Sequence, residues 1–246
     1  MKGIILCAGY GTRMQPYTTE YQKVMLPVHG KPLLEYIVDG LKYAGLKEFI
    51  FVVGYRKKQI MDYFGDGKPF DMNIEYVEQQ ELNGTGGAVL LCENLIEKKH
   101  FFLTWGDILV PYEIYKRVYD TFQREKEDFI LVTNYQENLK KGCAVICEGN
   151  YCVNMIEKPQ TYDSNLNNCG IFILNKEIFE ILKLIPPSKR GELELTDAIA
   201  FGIKERDWNV RLIKMNEGAF RGDFGDPHIY NRLKTNTEWL EKLKKS

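Results

Sequence analysis

Gly9 and Gly11 follow directly on the apolar run "GIILCA", and Arg13 and Lys23 come soon after them. A glycine loop behind a strand lets backbone N–H groups approach a ligand, and two cations on that loop suit an anionic one. Neither familiar phosphate loop fits, however. The pattern G-x-x-x-x-G-K-[ST] occurs nowhere in the chain, and a dinucleotide fingerprint starting at Gly9 fails at Met14. The second strand ends in Gly54-Tyr55, without the acid that would hold a ribose. No Ser–His or Cys–His nucleophile pair is evident. The cysteines Cys7, Cys92, Cys143, Cys147, Cys152 and Cys169 contain no C-x-x-C pair, and His29, His100 and His228 are scattered among polar residues. Neither a zinc site nor a histidine metal cluster is expected from that spacing. Any phosphate chemistry would rest on this local charge.

The elements that must position these residues alternate through the first half. "GIILCA", "EFIFVVG", "NIEYVEQ", "HFFLTWGD" and "DFILVTNY" read as strands. Between them, Leu33, Leu34, Ile37, Val38 and Leu41 repeat at helical spacing and stop at Gly45, a C-terminal cap. Further helices are expected around Lys57 to Phe64, over "GGAVLLCENLI", and from Pro111 to Phe122. Such alternation gives βαβ crossovers and a mainly parallel, Rossmann-like sheet flanked by helices. In the second half "CAVICE", "YCVNMIE" and "CGIFILN" are strand-like with short joins, followed by a helix from Lys176 to Leu184. A final helix starts at Asp226 (N-cap) and Pro227, with Ile229, Leu233, Leu240 and Leu243 on one face. There is no repeat, low-complexity tract or obvious linker. The expectation is one α/β domain over 1–246, with a nucleotide-binding half to about 135, a β-rich sugar-binding half to about 225, and a helix over 226–246.

Formal net charge is −1, with 44% hydrophobic and 27% charged residues. No whole-molecule field draws the chain to nucleic acid or to an anionic membrane. "IILCA" is too short for a signal-peptide core or a membrane span, and a cytoplasmic protein is expected.

The glycine stretch continues as Gly9-Tyr10-Gly11-Thr12-Arg13-Met14-Gln15-Pro16-Tyr17-Thr18, then Lys23-Val24-Met25-Leu26-Pro27. This resembles the G-x-G-T-R-M-x-P-x-T and K-x-M-L-P signature of the sugar-1-phosphate nucleotidylyltransferases, closest to the thymidylyl- and uridylyltransferases for glucose 1-phosphate. The resemblance runs along nearly the whole chain and implies site residues. Leu6, Ala8, Gly9, Gly11, Thr12, Arg13, Gln79, Gly84 and Thr85 would surround the nucleotide. In "QQELNGTGGA", Gln79 would bond the base edge and Gly84 would admit it. Arg13 and Lys23 would neutralise the leaving pyrophosphate. Asp107, in "WGD", and Asp223, in "FRGDFGDP", would hold Mg²⁺. The second segment departs from the family's aromatic-x-D-x-G-T: its tryptophan becomes Phe220 or is displaced by one residue, and Asp226 replaces its threonine. Gly142, Glu157, Lys158, Asn168 and Arg190 would hold the sugar phosphate, the last in "KRGELELTDAI". The β-helix acyltransferase extension of some members is expected to be absent from a chain ending at Ser246.

The implied reaction joins a nucleoside triphosphate to a sugar 1-phosphate, with nucleic acid and membrane excluded as partners and self-association left open. Gln79 favours UTP or dTTP, since one amide can both donate to and accept from a uracil or thymine edge. "GTGGA" also resembles the guanylyltransferases for mannose and heptose, and a cytidylyltransferase shares the N-terminal signature. A regulatory homologue that only binds nucleotide sugars would be expected to lack Arg13, Lys23 or an aspartate, and all are present. A dehydrogenase is disfavoured by the failed fingerprint.

Overall fold

Residues 1–244 are described by a computed structural model. In chain order, β1 (Gly3–Cys7) leads to the ribbon β2 (Pro27–Val28) and β3 (Lys31–Pro32), then α1 (Leu33–Tyr43), β4 (Glu48–Val53), α2 (Lys57–Phe64) and β5 (Asn73–Glu78). Next come α3 (Thr85–Leu90), β6 (His100–Trp105), β7 (Ile108–Leu109), α4 (Tyr112–Glu125), β8 (Phe129–Tyr135), β9 (Cys143–Glu148), β10 (Tyr151–Glu157) and β11 (Leu166–Asn175). The chain continues through α5 (Glu177–Leu184), α6 (Leu195–Arg206), β12 (Val210–Lys214), β13 (Gly222–Asp223), α7 (Pro227–Thr235) and α8 (Glu238–Lys244).

These elements fall into two compact units. The first comprises Met1–Gln80, Thr104–Arg117 and the stretch from Phe220 onward; the second comprises Glu81–Leu103 and Val118–Ala219. In the first unit β5, β4 and β1 are parallel neighbours, with Leu6 opposite Val52 and Val52 opposite Val77. Phe49 to Val53 are buried without a break, as in a strand covered on both faces. Helix α1 buries Leu33, Leu34, Ile37, Val38 and Leu41 and ends as its sequence predicts. Gly45 takes φ 96°, and the Leu46 N–H returns to the Leu41 carbonyl at 3.1 Å.

The second unit holds a mixed sheet ordered β11, β8, β12, β10, β9, in which only β12 and β8 run parallel. Strand β11 also pairs with β9 through Asn167 and Ala144. The register of β11 on β8 shifts between Asn168 and Phe172, where Gly170 adopts φ 73°.

Several expectations are corrected. The C-terminal segment is two helices, because Asn236 is extended and its Oδ1 accepts the Glu238 N–H at 2.7 Å to start the second. Its buried face carries Tyr230, Leu233, Trp239 and Leu243, whereas Ile229 and Leu240 are half-exposed. The helix over "GGAVLLCENLI" stops at Leu90, and "ENL" forms a separate 3-10 turn. Strand β6 stops at Trp105, so Asp107 lies in the turn that follows. The segments of α6 and β12 carried no sequence expectation of their own. No described helix is long and apolar enough to cross a membrane.

Candidate active site

In the first unit the glycine loop is fixed by the strand ends on which it rests. The Tyr55 N–H donates to the Ala8 carbonyl at 3.0 Å, and a Cβ on Gly54 would come within 2.8 Å of that oxygen. The Leu6 carbonyl accepts the Gly106 N–H at 3.0 Å, so this predicted nucleotide contact is already engaged in the backbone. Gly11 is required twice over: it adopts φ 65°, and a Cβ would meet Thr18 Cγ2 and Lys23 Cβ at 3.0 Å. The Thr18 hydroxyl donates to the Gly11 carbonyl at 2.9 Å, while Thr12 and Arg13 stand exposed on a 3-10 turn. Gly9 has open space where a Cβ would lie. Gln79, only 6% exposed, follows β5, and its N–H donates to the Val53 carbonyl at 2.8 Å.

Lys23 is held by a residue that sequence reasoning passed over. Gln22 is fully buried; its Nε2 donates to the Cys7 carbonyl at 2.5 Å and its Oε1 accepts the Val24 N–H at 2.5 Å. The Lys23 ammonium forms an ion pair with Asp107. Gly106 lets Asp107 approach, since a Cβ there would lie 2.8 Å from both Cys7 Sγ and the Leu6 carbonyl. Burial alone would raise the Asp107 carboxyl, but the Lys23 ammonium and the Arg221 guanidinium hold it below the usual carboxylate range.

Asp223 arrives beside Asp107 through the two-stranded ribbon of β7 and β13, in which it faces Ile108. The Phe224 N–H donates to the Asp107 carbonyl at 3.0 Å. Asp223 Oδ1 accepts the Gly225 N–H at 2.8 Å, and Arg221 Nη1 lies 3.3 Å from Oδ2. A Cβ on Gly225 would fall 2.8 Å from Nη2 of Arg13 and 3.0 Å from Asp223 Oδ1. The loop arginine and the second aspartate therefore meet over one glycine. Among the described residues no group of three or more His, Cys, Asp or Glu side chains could hold a metal. The ribbon brings the backbones of Asp107 and Asp223 together, and a pair of carboxylates is a donor set that Mg²⁺ accepts, since it takes one or two of them and fills its octahedron with water and substrate phosphate.

The second unit contains the residues expected at the sugar phosphate and brings Lys158 to Gly142 and Arg190 to Glu157. The turn Ser188–Glu192 presents Arg190: the Gly191 N–H donates to the Ser188 carbonyl at 2.8 Å with φ 75°, and the Ser188 N–H donates to the Glu192 carbonyl at 2.8 Å. The guanidinium pairs with Glu194 and lies 3.2 Å from Glu192 and 3.8 Å from Glu157. Burial pushes the Glu157 carboxyl up, with Arg190 opposing; Thr196 Oγ1 donates to it at 3.3 Å. Lys158 is exposed and held at φ 46°, a conformation rare for a side-chain-bearing residue and one that clusters at functional sites. Its N–H donates to the Gly142 carbonyl at 2.8 Å. The Gly142 N–H donates to Leu139, and a Cβ on Gly142 would collide with Asn167 Oδ1, so packing alone requires this glycine.

Asn168 is 1% exposed; its Oδ1 accepts the Gly170 N–H at 2.8 Å, and its Nδ2 has no partner. A buried unpaired amide donor costs free energy that a ligand hydroxyl would recover. Gly84, at φ 101°, also has a structural duty, since a Cβ would lie 2.5 Å from the Leu193 carbonyl. Leu193 N–H donates to the Asn83 carbonyl at 2.7 Å, and the Leu195 N–H donates to Thr85 Oγ1 at 3.1 Å. The "NGTGG" and "GELEL" segments are thus laced together, a contact hidden by their separation in sequence. Arg221, Gln22, Glu192 and Glu194 are the site neighbours that sequence reasoning missed; all but Gln22 lie inside motifs read for another residue.

The chain as a whole resembles known proteins. A family model described as "Nucleotidyl transferase" matches residues 2–238. The "Bifunctional protein GlmU" of Methanococcus aeolicus is 37% identical over 99% of this chain, but the match spans 56% of that relative. The chain spans about half the length of the GlmU relatives it matches. A protein of Methanocaldococcus jannaschii named "Putative UTP--glucose-1-phosphate uridylyltransferase" is 30% identical, over 96% of this chain and 92% of its own. A solved UDP-glucose pyrophosphorylase, complexed with UDP-glucose, superposes with a TM-score of 0.86 at 27% identity, covering 98% of each chain.

Proposed function

The chain belongs to the nucleotidyl transferase family, and from that premise we propose that it transfers a nucleotidyl group from UTP or dTTP to glucose 1-phosphate, releasing pyrophosphate. The observation that carries the reading is the meeting of Arg13 with Asp223 over Gly225, beside the Lys23–Asp107 pair. It sets the cations of the glycine loop next to the two carboxylates in one unit.

An oxygen of the sugar phosphate, already ionised, attacks the α-phosphorus in line. The new P–O bond forms as the α–β bridge breaks, and pyrophosphate leaves with the electron pair. No general base is needed, so catalysis is positioning and charge neutralisation. Backbone N–H groups of the Gly9–Arg13 loop cradle the triphosphate, and Arg13 and Lys23 neutralise the departing charge. Gln79 reads the pyrimidine edge. Lys158 and Arg190 hold the acceptor phosphate, while Glu157 and the Nδ2 of Asn168 take sugar hydroxyls. Asp107 and Asp223 would hold Mg²⁺, which would supply charge neutralisation.

Pyrophosphate release measured with UTP, dTTP, GTP and CTP against a panel of sugar 1-phosphates tests the reading. UTP or dTTP should exceed GTP by at least about tenfold in kcat/KM, the cost of a mismatched hydrogen-bond pair in a buried site. GTP as best substrate would reassign the chain to a mannose or heptose guanylyltransferase. Nucleotide-sugar binding without any turnover would make it a binding homologue.

A further inference from the structure

In the second unit one guanidinium serves three carboxylates. Arg190 pairs with Glu194, lies 3.2 Å from Glu192 and 3.8 Å from Glu157, and is itself only part-covered. Glu194 is 5% exposed at the N-cap position of α6, where its side chain makes no capping hydrogen bond, so water contributes little to its charge. Resting on the reading of Arg190 as the acceptor-phosphate anchor, we propose that Glu194 is a positioning residue that holds Arg190 in place and takes up a proton from solvent when the acceptor phosphate engages that arginine.

The charge balance of the cluster requires some such response. As a phosphate dianion arrives, the Arg190 donors turn to its oxygens and the Arg190–Glu194 ion pair loosens. A buried carboxylate that loses its countercharge is strongly disfavoured in its ionised form. The charged groups facing Glu194 make this worse: Glu192 from the turn before it and Glu157 from the end of β10 are both acidic, and Arg190 is the cation that opposes them. Asp197, on the first turn of α6, also feels Arg190 and adds a further carboxylate to the cluster. Burial, with a side-chain hydrogen bond to Glu192, pushes Glu194 up to about 7 even while Arg190 opposes the rise. Two carboxyl groups in contact hold one proton between them more readily than none. The proton comes from bulk water or buffer and ends on the Glu194 carboxyl. Arg190 is left free to serve the phosphate, and no covalent bond to carbon or phosphorus changes.

Titration calorimetry of glucose 1-phosphate, alone and with a non-cleavable UTP analogue, tests this near pH 8 in buffers of contrasting ionisation enthalpy. At that pH a phosphate monoester, with its second pKa near ~6, is already dianionic and takes no proton itself. The wild-type protein should take up about one proton per ligand, and affinity should fall by up to about tenfold per pH unit above neutrality. In Glu194→Gln the uptake should vanish and the affinity become flat over the same range. Equal uptake in Glu194→Gln would overturn the proposal, as would wild-type binding with no proton uptake, a result that needs no variant. Failure of glucose 1-phosphate to bind under either condition would overturn the role of Arg190 and the proposal together. Binding without uptake overturns the proposal alone.

Discussion

Arg13 is exposed on its 3-10 turn, and its guanidinium lies over Gly225 beside Asp223. It has little packing to lose and much charge to supply. Arg13→Ala should lower kcat by roughly 10²–10³, the range for one preorganised charge-stabilising donor, with Tm nearly unchanged. Steady-state pyrophosphate release and a thermal melt check both halves of that statement. Asp107→Ala should remove activity even at high Mg²⁺, and it also strips Lys23 of its partner. Glu194 gives a different signature. Its folded value near 7 stands above its ordinary 4.5, so its stabilising contribution is complete below 4.5 and is lost as pH rises through about 7. Melts between about pH 5 and about pH 8 should show Tm falling in the wild type and a flatter profile in Glu194→Gln. Residues that announce themselves by type and spacing, such as Gly11, Arg13 and Lys23, were legible in the sequence. Arg221 and Glu194 were not, because a charged residue inside a motif read for its neighbour looks like solvated surface until its burial and ion pairing are known.

Elements differed in legibility for a physical reason. Helix α1 could be read because its apolar spacing, Gly45 cap and burial all agree. Helix α6 could not: it buries Thr196 and Gly202 along with Leu195, Ala198 and Ile199, a pattern without a clear stripe. Gly202 is there because Trp208 fills the place where its Cβ would be. Strand β13 has only two residues, too few for any alternation, yet it carries Asp223 to Asp107. The turn before β7 is equally demanding. Gly106→Ala would press a methyl against Cys7 Sγ and the Leu6 carbonyl, so it should destabilise the protein by about 1–3 kcal/mol. It should also depress kcat through displacement of Asp107. Urea unfolding with parallel turnover measurements separates the two effects: a stable, fully active Gly106→Ala protein would show that the turn yields without moving the acid.

At the scale of the molecule, composition already excluded a nucleic-acid or membrane field, but it could not reveal two units assembled from interleaved stretches of chain. The chain passes from one to the other inside β6 and inside α4, where no linker composition marks a boundary. The thiols turn this division into something measurable. Five of the six cysteines are buried, and Cys147 is part-exposed. Cys7 lies in the first unit beneath Gly106, while Cys92, Cys143, Cys152 and Cys169 lie in the second. Burial raises the Cys7, Cys92, Cys143 and Cys152 thiols, so each reacts as a thiolate only after its surroundings open. A maleimide should therefore label Cys147 at once and the other five slowly, with peptide mass spectrometry assigning each rate. Where reclosing outpaces labelling, the rate at Cys7 reports the opening free energy of the first unit, and the rate at Cys92 reports that of the second. The chain thus carries native reporters of whether its two units open together or apart.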